Sequence, residues 1–457
     1  MRDLVLAGIV FGSIPFILRW PAVGVYMWLW VSIMNPHRLT WDFAADMRWA
    51  YFIAIATLAG LFLSRDGLFS KEPKRVPITP VTVVLLVMIV WMTVTTIFAL
   101  DRDQSMEPWK QMVKMQGMVF VALYLLHSKQ HIQVLIWILA GSVAFYGIKG
   151  GLFTLATGGE FRVYGPWGSF IQENNALALA TIMTIPLLYY LFLQVTKYWM
   201  RWGLLAAMLL CGFSVLGSHS RGGFLAIGAM IGFLWLKSRS KAITGLVLII
   251  LVPVAIGFMP DKWVDRMQTI ENYEQDGSAM GRIHAWTTAV NVAQDRFTGG
   301  GFNLHFADAY NSYAEVQAGV RVAHSIYYQM LGEHGFVGLA LFLLLWILVW
   351  RDSSWIVRQT RSQTSLHWAS DLARMVQVSL VGYFVGGAFL NLAQYDVPYN
   401  LLVALALTRV LVERELKGHE QKEGVPNNTQ SDAARADGRV AAGTTGLEPR
   451  IEADRHR

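Results

Sequence analysis

Two runs decide the fold class: GLLAAMLLCGFSVLG at Gly203–Gly217 and GGFLAIGAMIGFLWL at Gly222–Leu236, joined only by Ser218-His219-Ser220-Arg221. Neither run carries a charge, so the pair reads as two membrane helices closed by a tight polar turn. Working outward, the same pattern recurs at Trp49–Leu63, Ile78–Leu100, Met112–Leu126, Ile132–Leu155, Ala176–Val195, Ala242–Met259, Ser325–Trp350, Leu372–Leu392 and Tyr399–Val412. With 54% hydrophobic and 15% charged residues among 457, the chain has too little polar surface to dissolve. The expectation is an all-α polytopic membrane protein with about 12 transmembrane helices.

Basic residues in short loops assign the two sides. Arg65, Lys71, Lys74 and Arg75, then Lys197 and Arg201, then Lys237, Arg239 and Lys241, then Arg351, Arg358 and Arg361 all fall on one side of the alternation, the cytoplasmic one. The other side holds Leu100–Lys110, Thr157–Asn174, the Ser218–Gly222 turn and the long stretch Pro260–Ala323. The net charge of +7 is thereby read as topology, and no basic run interleaved with aromatics points to nucleic acid. At the N-terminus, Pro15 and Pro21 bracket Arg19 and Trp20, so Leu4–Met34 reads either as one broken crossing or as two short helices. A single crossing puts both chain ends in the cytoplasm. The segment has no small-residue cleavage site and reads as an anchor. The transmembrane domain is expected over 1–417, with 260–323 as a loop within it. From 418 to 457 the composition turns polar and aperiodic, which predicts a disordered cytoplasmic tail.

Cys211 is the only cysteine and lies in an apolar run, which excludes disulfides and cysteine metal sites and predicts a buried core residue. No phosphate-binding loop, dinucleotide fingerprint, zinc-protease helix or serine-hydrolase elbow is present. Asp101-Arg102-Asp103 reads as a helix cap or solvated turn rather than a metal-holding pair, and no metal or cofactor is expected.

The polar residues suited to chemistry gather on the non-cytoplasmic side. Arg162 lies in a loop rich in glycine, proline and aromatics, and Arg221 lies in the tight turn. Arg282 opens a helical pattern running through Trp286, Ala289, Val290 and Ala293 to the glycine run Gly299-Gly300-Gly301. A single arginine at a membrane interface snorkels to headgroups. Several on one face suit a polyanion, since the guanidinium fork matches phosphate oxygens. His324 begins the next crossing, and positive charge from Arg321, Arg221 and Arg282 would hold it neutral and able to accept a proton. Farther along that crossing, Glu333-His334 reads as an interhelical hydrogen-bonding pair. No internal repeat of useful length suggests an inverted-repeat transporter.

Three stretches together resemble the O-antigen ligase and O-antigen polymerase superfamily: Ser220-Arg221-Gly222; Gly281-Arg282 with Trp286 and Gly299-Gly300-Gly301-Phe302; and His324-Ser325 with Glu333, Gly335 and Gly338. Met1-Arg2-Asp3-Leu4 and Asn35-Pro36-His37-Arg38-Leu39-Thr40-Trp41 are similar to a branch called exosortase-associated O-glycosylation ligases. The resemblance implies a GT-C-like glycosyltransferase of the bacterial inner membrane, with its active site facing the periplasm and independent of metal and nucleotide. Its donor would be a glycan on undecaprenyl pyrophosphate, and its acceptor a lipid A–core sugar, a growing glycan or a protein. His324 would then activate the acceptor hydroxyl while Arg221 and Arg282 hold the pyrophosphate. Arg162, Arg321, Tyr328 and Gly300 complete the expected substrate contacts.

Overall fold

The apolar runs fold as helices, because a chain in hydrocarbon must satisfy its own backbone hydrogen bonds. The protein is described here by a computed structural model covering residues 1–63, 75–238, 240–268, 277–306, 308, 310–314 and 322–423. The predicted tail beyond 423 and Arg321 lie outside the described residues. Two units are distinguished, Met1–Val412 and Glu413–Arg457; the described part of the second is helical to Glu423.

In chain order the α-helices are α1 (Arg2–Arg19), α2 (Pro21–Met34), α3 (Phe43–Asp46), α4 (Trp49–Leu63), α5 (Pro80–Ile97) and α6 (Arg102–Leu125). They continue as α7 (Lys129–Ala156), α8 (Asn174–Gln194), α9 (Tyr198–Gly217), α10 (Arg221–Lys237), α11 (Lys241–Gly257) and α12 (Asp261–Gln268). The last are α13 (Gly277–Asp295), α14 (Tyr310–Tyr313), α15 (Ile326–Gln359), α16 (His367–Gly387) and α17 (Asp396–Glu423). Among the described residues there is no strand. Among the described residues five helices, α5, α7, α8, α9 and α15, are long and apolar enough to cross a membrane, and α11 with α12 makes a sixth if that pair, bent by 107°, counts as one span. α8 is the centre of the bundle, buried along nearly its whole length among α7, α9, α10 and α16.

The first two helices resolve the alternative left open by the sequence. Asp3 Oδ1 accepts from the backbone N–H groups of Asp42 (3.1 Å) and Ala44 (3.3 Å), so the start of α1 meets the segment that follows α2. α4 packs along both, with Phe11 against Trp49, and with Gly60 against Ile17 and Pro21. The N-terminal segment is therefore a hairpin folded at Trp20, not one broken crossing. This corrects the expected placement of the N-terminus opposite the 35–48 segment: the two share one end of the bundle. The loop after α7 lies at that end too, since Gly168 touches the Arg38 guanidinium.

Asp101 caps α6, accepting from Gln104 N–H at 3.0 Å, so the Asp-Arg-Asp stretch is a helix start. Cys211 is fully buried. The crossing α15 is broken at Gly335, whose backbone is non-helical (φ 69°, ψ −174°). A break of this kind orphans the carbonyls of the preceding turn, and each finds a donor from elsewhere. Gly332 O accepts from Gly300 N–H (2.8 Å), Glu333 O from Gly301 N–H (2.9 Å) and His334 O from Trp91 Nε1 (2.8 Å). Gly300 O in turn accepts from Leu100 N–H at 2.9 Å. The glycine run thus threads between the α5–α6 turn and the kink as a hydrogen-bonded strap. Its closeness requires glycine: Gly301 sits at φ +87°, and a β-carbon there would come within 2.2 Å of Ala99 Cβ. Gly301→Ala is expected to destabilise the fold by roughly 2–4 kcal/mol, from the left-handed backbone and the overpacking together. Thermal unfolding of the detergent-solubilised variant measures this, and an unshifted midpoint would show that the strap tolerates a side chain.

Candidate functional site

The turn between α9 and α10 is held from several directions. Ser220 Oγ caps α10 by accepting from Gly223 N–H at 2.9 Å, Val163 N–H donates to Gly217 O at 2.9 Å, and Asn174 Nδ2 donates to Ser218 O at 2.7 Å. His219, with φ +53°, donates from Nε2 to Gly159 O at 2.8 Å. These ties fix Arg221 at the first position of α10, where the helix terminus itself adds positive potential.

A second arginine arrives on α12. This short amphipathic helix buries Trp263 and Met267 against Leu216 and Met259, and Trp263 Nε1 donates to Leu216 O at 2.9 Å. One helical turn on, Arg266 Nε donates to His219 O at 2.8 Å. α13 supplies the third arginine, Arg282. Arg221, Arg266 and Arg282 line one cavity of about 70 Å³, together with Ser220 and Asn175 and with Phe389 and Leu390 beyond the end of α16. Three guanidinium groups in one recess favour an anion with several oxygens.

His324 stands beside this cavity in the left-handed region (φ +45°), half-buried, immediately before α15. Burial holds its pKa below the ordinary histidine value, and the Arg282 charge lowers it further against the opposing pull of Glu173. A neutral imidazole at physiological pH follows. The histidine segment is tied to α13 by Trp286, whose Nε1 donates to Ala323 O at 2.7 Å and whose ring stacks on Tyr328 with centroids 4.8 Å apart and planes at 6°. Arg282 and Trp286 are four residues apart on α13, so this clasp sets the arginine and the histidine relative to each other.

The remaining sequence expectations fare unequally. Arg162 is exposed and does not line the arginine cavity; its charge is felt at His219, whose pKa is lowered by burial first and by Arg162 and Arg266 after it. Gly300 has its N–H and its carbonyl engaged by Gly332 and Leu100 and lies in the strap at the α15 kink, outside the arginine cavity. Tyr328 presents its ring to Trp286 and lines a separate, smaller cavity. Arg266 was not singled out from the sequence. The signal was present in Trp263 and Met267, which share a face of a short helix, but nothing in the sequence shows that the face docks beside the α9–α10 turn.

Fold and site together define a multi-pass helical membrane protein with an arginine-lined, anion-suited recess at one end and a neutral histidine beside it. Residues 206–343 match the family described as O-antigen ligase, which supports placing this domain in the O-antigen ligase superfamily. Arg221, Arg266, Arg282 and His324 all fall within that match. Residues 1–196 match a family of unknown function, DUF5935. No curated protein matches the chain.

Proposed function

We propose that the protein is an O-antigen ligase that transfers a glycan from undecaprenyl pyrophosphate to a sugar hydroxyl of lipid A–core at the periplasmic face of the inner membrane, with neither metal nor nucleotide. The observation that carries this reading is the convergence of three arginines on one cavity, with a neutral histidine within electrostatic reach of Arg282. The basic residues Lys197, Arg201, Lys237, Lys241, Arg351, Arg358 and Arg361 lie at the opposite end of the bundle, which favours a cytoplasmic placement of that end and a periplasmic placement of the site. In this orientation the stretch 260–323 is a periplasmic loop. With α1 and α2 counted separately, the crossings rise from twelve to thirteen and the N-terminus is periplasmic.

In this mechanism His324 accepts the proton of the acceptor hydroxyl as the oxygen attacks the anomeric carbon. The bond from that carbon to the pyrophosphate oxygen breaks, its electron pair leaves on undecaprenyl pyrophosphate, and the sugar carbon inverts. Arg221, Arg266 and Arg282 bind the pyrophosphate and stabilise the charge that grows on it. The donor's lipid pyrophosphate is already a leaving group, so activation by a nucleotide is not needed. Membrane transport of the same lipid is the weaker reading, because the polar cluster lies at one end and the intramembrane Glu333 and His334 are engaged with Asn303, Gln329 and Thr95.

The test is incubation of the purified protein with undecaprenyl-pyrophosphate glycan and either lipid A–core or a second donor molecule, in chelator and without nucleotide. Extension of lipid A–core supports the ligase; extension of the second donor would make it a polymerase; inertness toward both, with transfer to a protein acceptor, would make it an O-glycosylation ligase.

The pH dependence has a definite sign. A base acts in its neutral form, which predominates above its pKa, and the folded-state pKa of His324 is lowered. The rate is therefore expected to stay flat from neutral pH downward and to fall only below the ordinary histidine value of about 6.5. In Arg282→Met the lost positive charge raises the histidine pKa, so the acid limb moves to higher pH. A profile that rises with acidification would overturn the base assignment.

A further inference from the structure

Two cavities lie near His324, which is within electrostatic reach of Arg282 in one and His305 in the other. The first is the arginine recess. The second, of about 30 Å³, is lined among others by the half-buried Ala323, His305 and Tyr328, by the buried Gln329, Gly332 and Glu333, and by Asn391. His305 lies close enough to His324 for the histidine charge to bear on its pKa, which burial lowers first.

The lining keeps limited acceptor capacity. Gln329 is fully engaged: Nε2 donates to Glu333 Oε2 (3.3 Å) and Gln394 Oε1 (3.0 Å), while Oε1 accepts from Ala393 N–H (3.1 Å). Glu333 Oε1 accepts one long bond from Asn303 N–H at 3.3 Å, and Gln394 is a further side-chain partner. A carboxyl group offers up to about four acceptor positions, so one remains for a further donor. Asn391 Oδ1 is buried and has no hydrogen-bond partner among the described residues. A buried unpaired acceptor is costly, and the group that relieves it must donate. A pyrophosphate diester anion has no proton to donate, and the Arg282 charge beside His324 disfavours a cation. A neutral hydroxyl remains. The cavity is small, about 30 Å³, and suits a hydroxyl or hydroxymethyl arm.

We infer that this cavity is an anchoring subsite for the acceptor: it takes a second hydroxyl of the same sugar whose attacking hydroxyl is deprotonated by His324, with Asn391 and Glu333 as the receiving groups. The inference rests on the proposed function and deepens it, since the donor is held by charge in one cavity and the acceptor by hydrogen bonding in the other. A sugar would be selected by the spacing of two of its hydroxyls, and a simple alcohol would lack the anchor.

Binding tests this without turnover. Methyl hexosides and their monodeoxy analogues are presented to the full-length protein in nanodiscs, and saturation transfer to the sugar is read by NMR. One deoxy position is expected to weaken binding by about tenfold or more, and Asn391→Leu and Glu333→Gln are expected to abolish the difference between that analogue and its parent. Equal transfer to every analogue on the unaltered protein, or no transfer to any, overturns the subsite whether or not the variants fold. Binding of undecaprenyl pyrophosphate to the same nanodiscs is measured in parallel. Its persistence alongside failed sugar discrimination sinks the subsite alone, whereas its absence sinks the donor reading.

Discussion

His324→Ala is expected to lower glycan transfer by about 10²–10⁴-fold, the range for a positioned general base, while leaving membrane insertion and thermal unfolding unchanged. The stability expectation has a structural ground: α13 is tied to the segment through the Ala323 carbonyl and the Tyr328 ring, not through the imidazole, so truncation leaves both of these ties in place. Replacing a left-handed residue by alanine also leaves the backbone strain much as it was. The measurement is single-turnover transfer with saturating donor, alongside donor binding. Undiminished transfer would remove the histidine from the chemistry, and a loss of donor binding of the same size would make it a binding residue.

Arg221→Lys is the second large effect expected. Lysine keeps the charge, yet an ammonium cannot reproduce the planar two-point contact of a guanidinium with phosphate oxygens. If that contact tightens as charge develops on the leaving pyrophosphate, transfer falls by about 10²–10³-fold, or roughly 2.7–4 kcal/mol of transition-state stabilisation. Capping by Ser220 and the tight approach of Gly222 to Phe389 fix where position 221 starts, so a shorter reach cannot be recovered by sliding the helix. Full activity in the lysine variant would mean that Arg221 serves only to anchor the turn at the membrane surface. An equal loss in donor affinity and in turnover would indicate binding of ground state and transition state alike.

Much of the site was legible because its residues are exceptions to an apolar rule. An arginine in a four-residue link between two uncharged runs, and a histidine at the head of a crossing, stand out from sequence alone. Arg266 did not, because its helix is short and its neighbours in sequence are ordinarily polar. Arg162 shares an end of the bundle with Arg221 but does not line its cavity, since a loop position says which end a side chain occupies but not which recess it enters. Glycines at 299–301 permit a close backbone approach, but only the structure shows that the partner is the protein's own broken helix.

What the sequence determined by itself is the helical class and the two-ended distribution of charge. Partition between water and hydrocarbon is settled run by run, by residues adjacent in the chain. Only the tertiary structure decided that α1 and α2 form a hairpin, that Gly300 and Gly301 close the α15 kink, and that Arg221, Arg266 and Arg282 share a cavity beside His324. Those outcomes depend on hydrogen bonds between segments tens to hundreds of residues apart, such as Asp3 with Ala44 or Trp91 with His334, and such pairings leave no periodic trace in the chain.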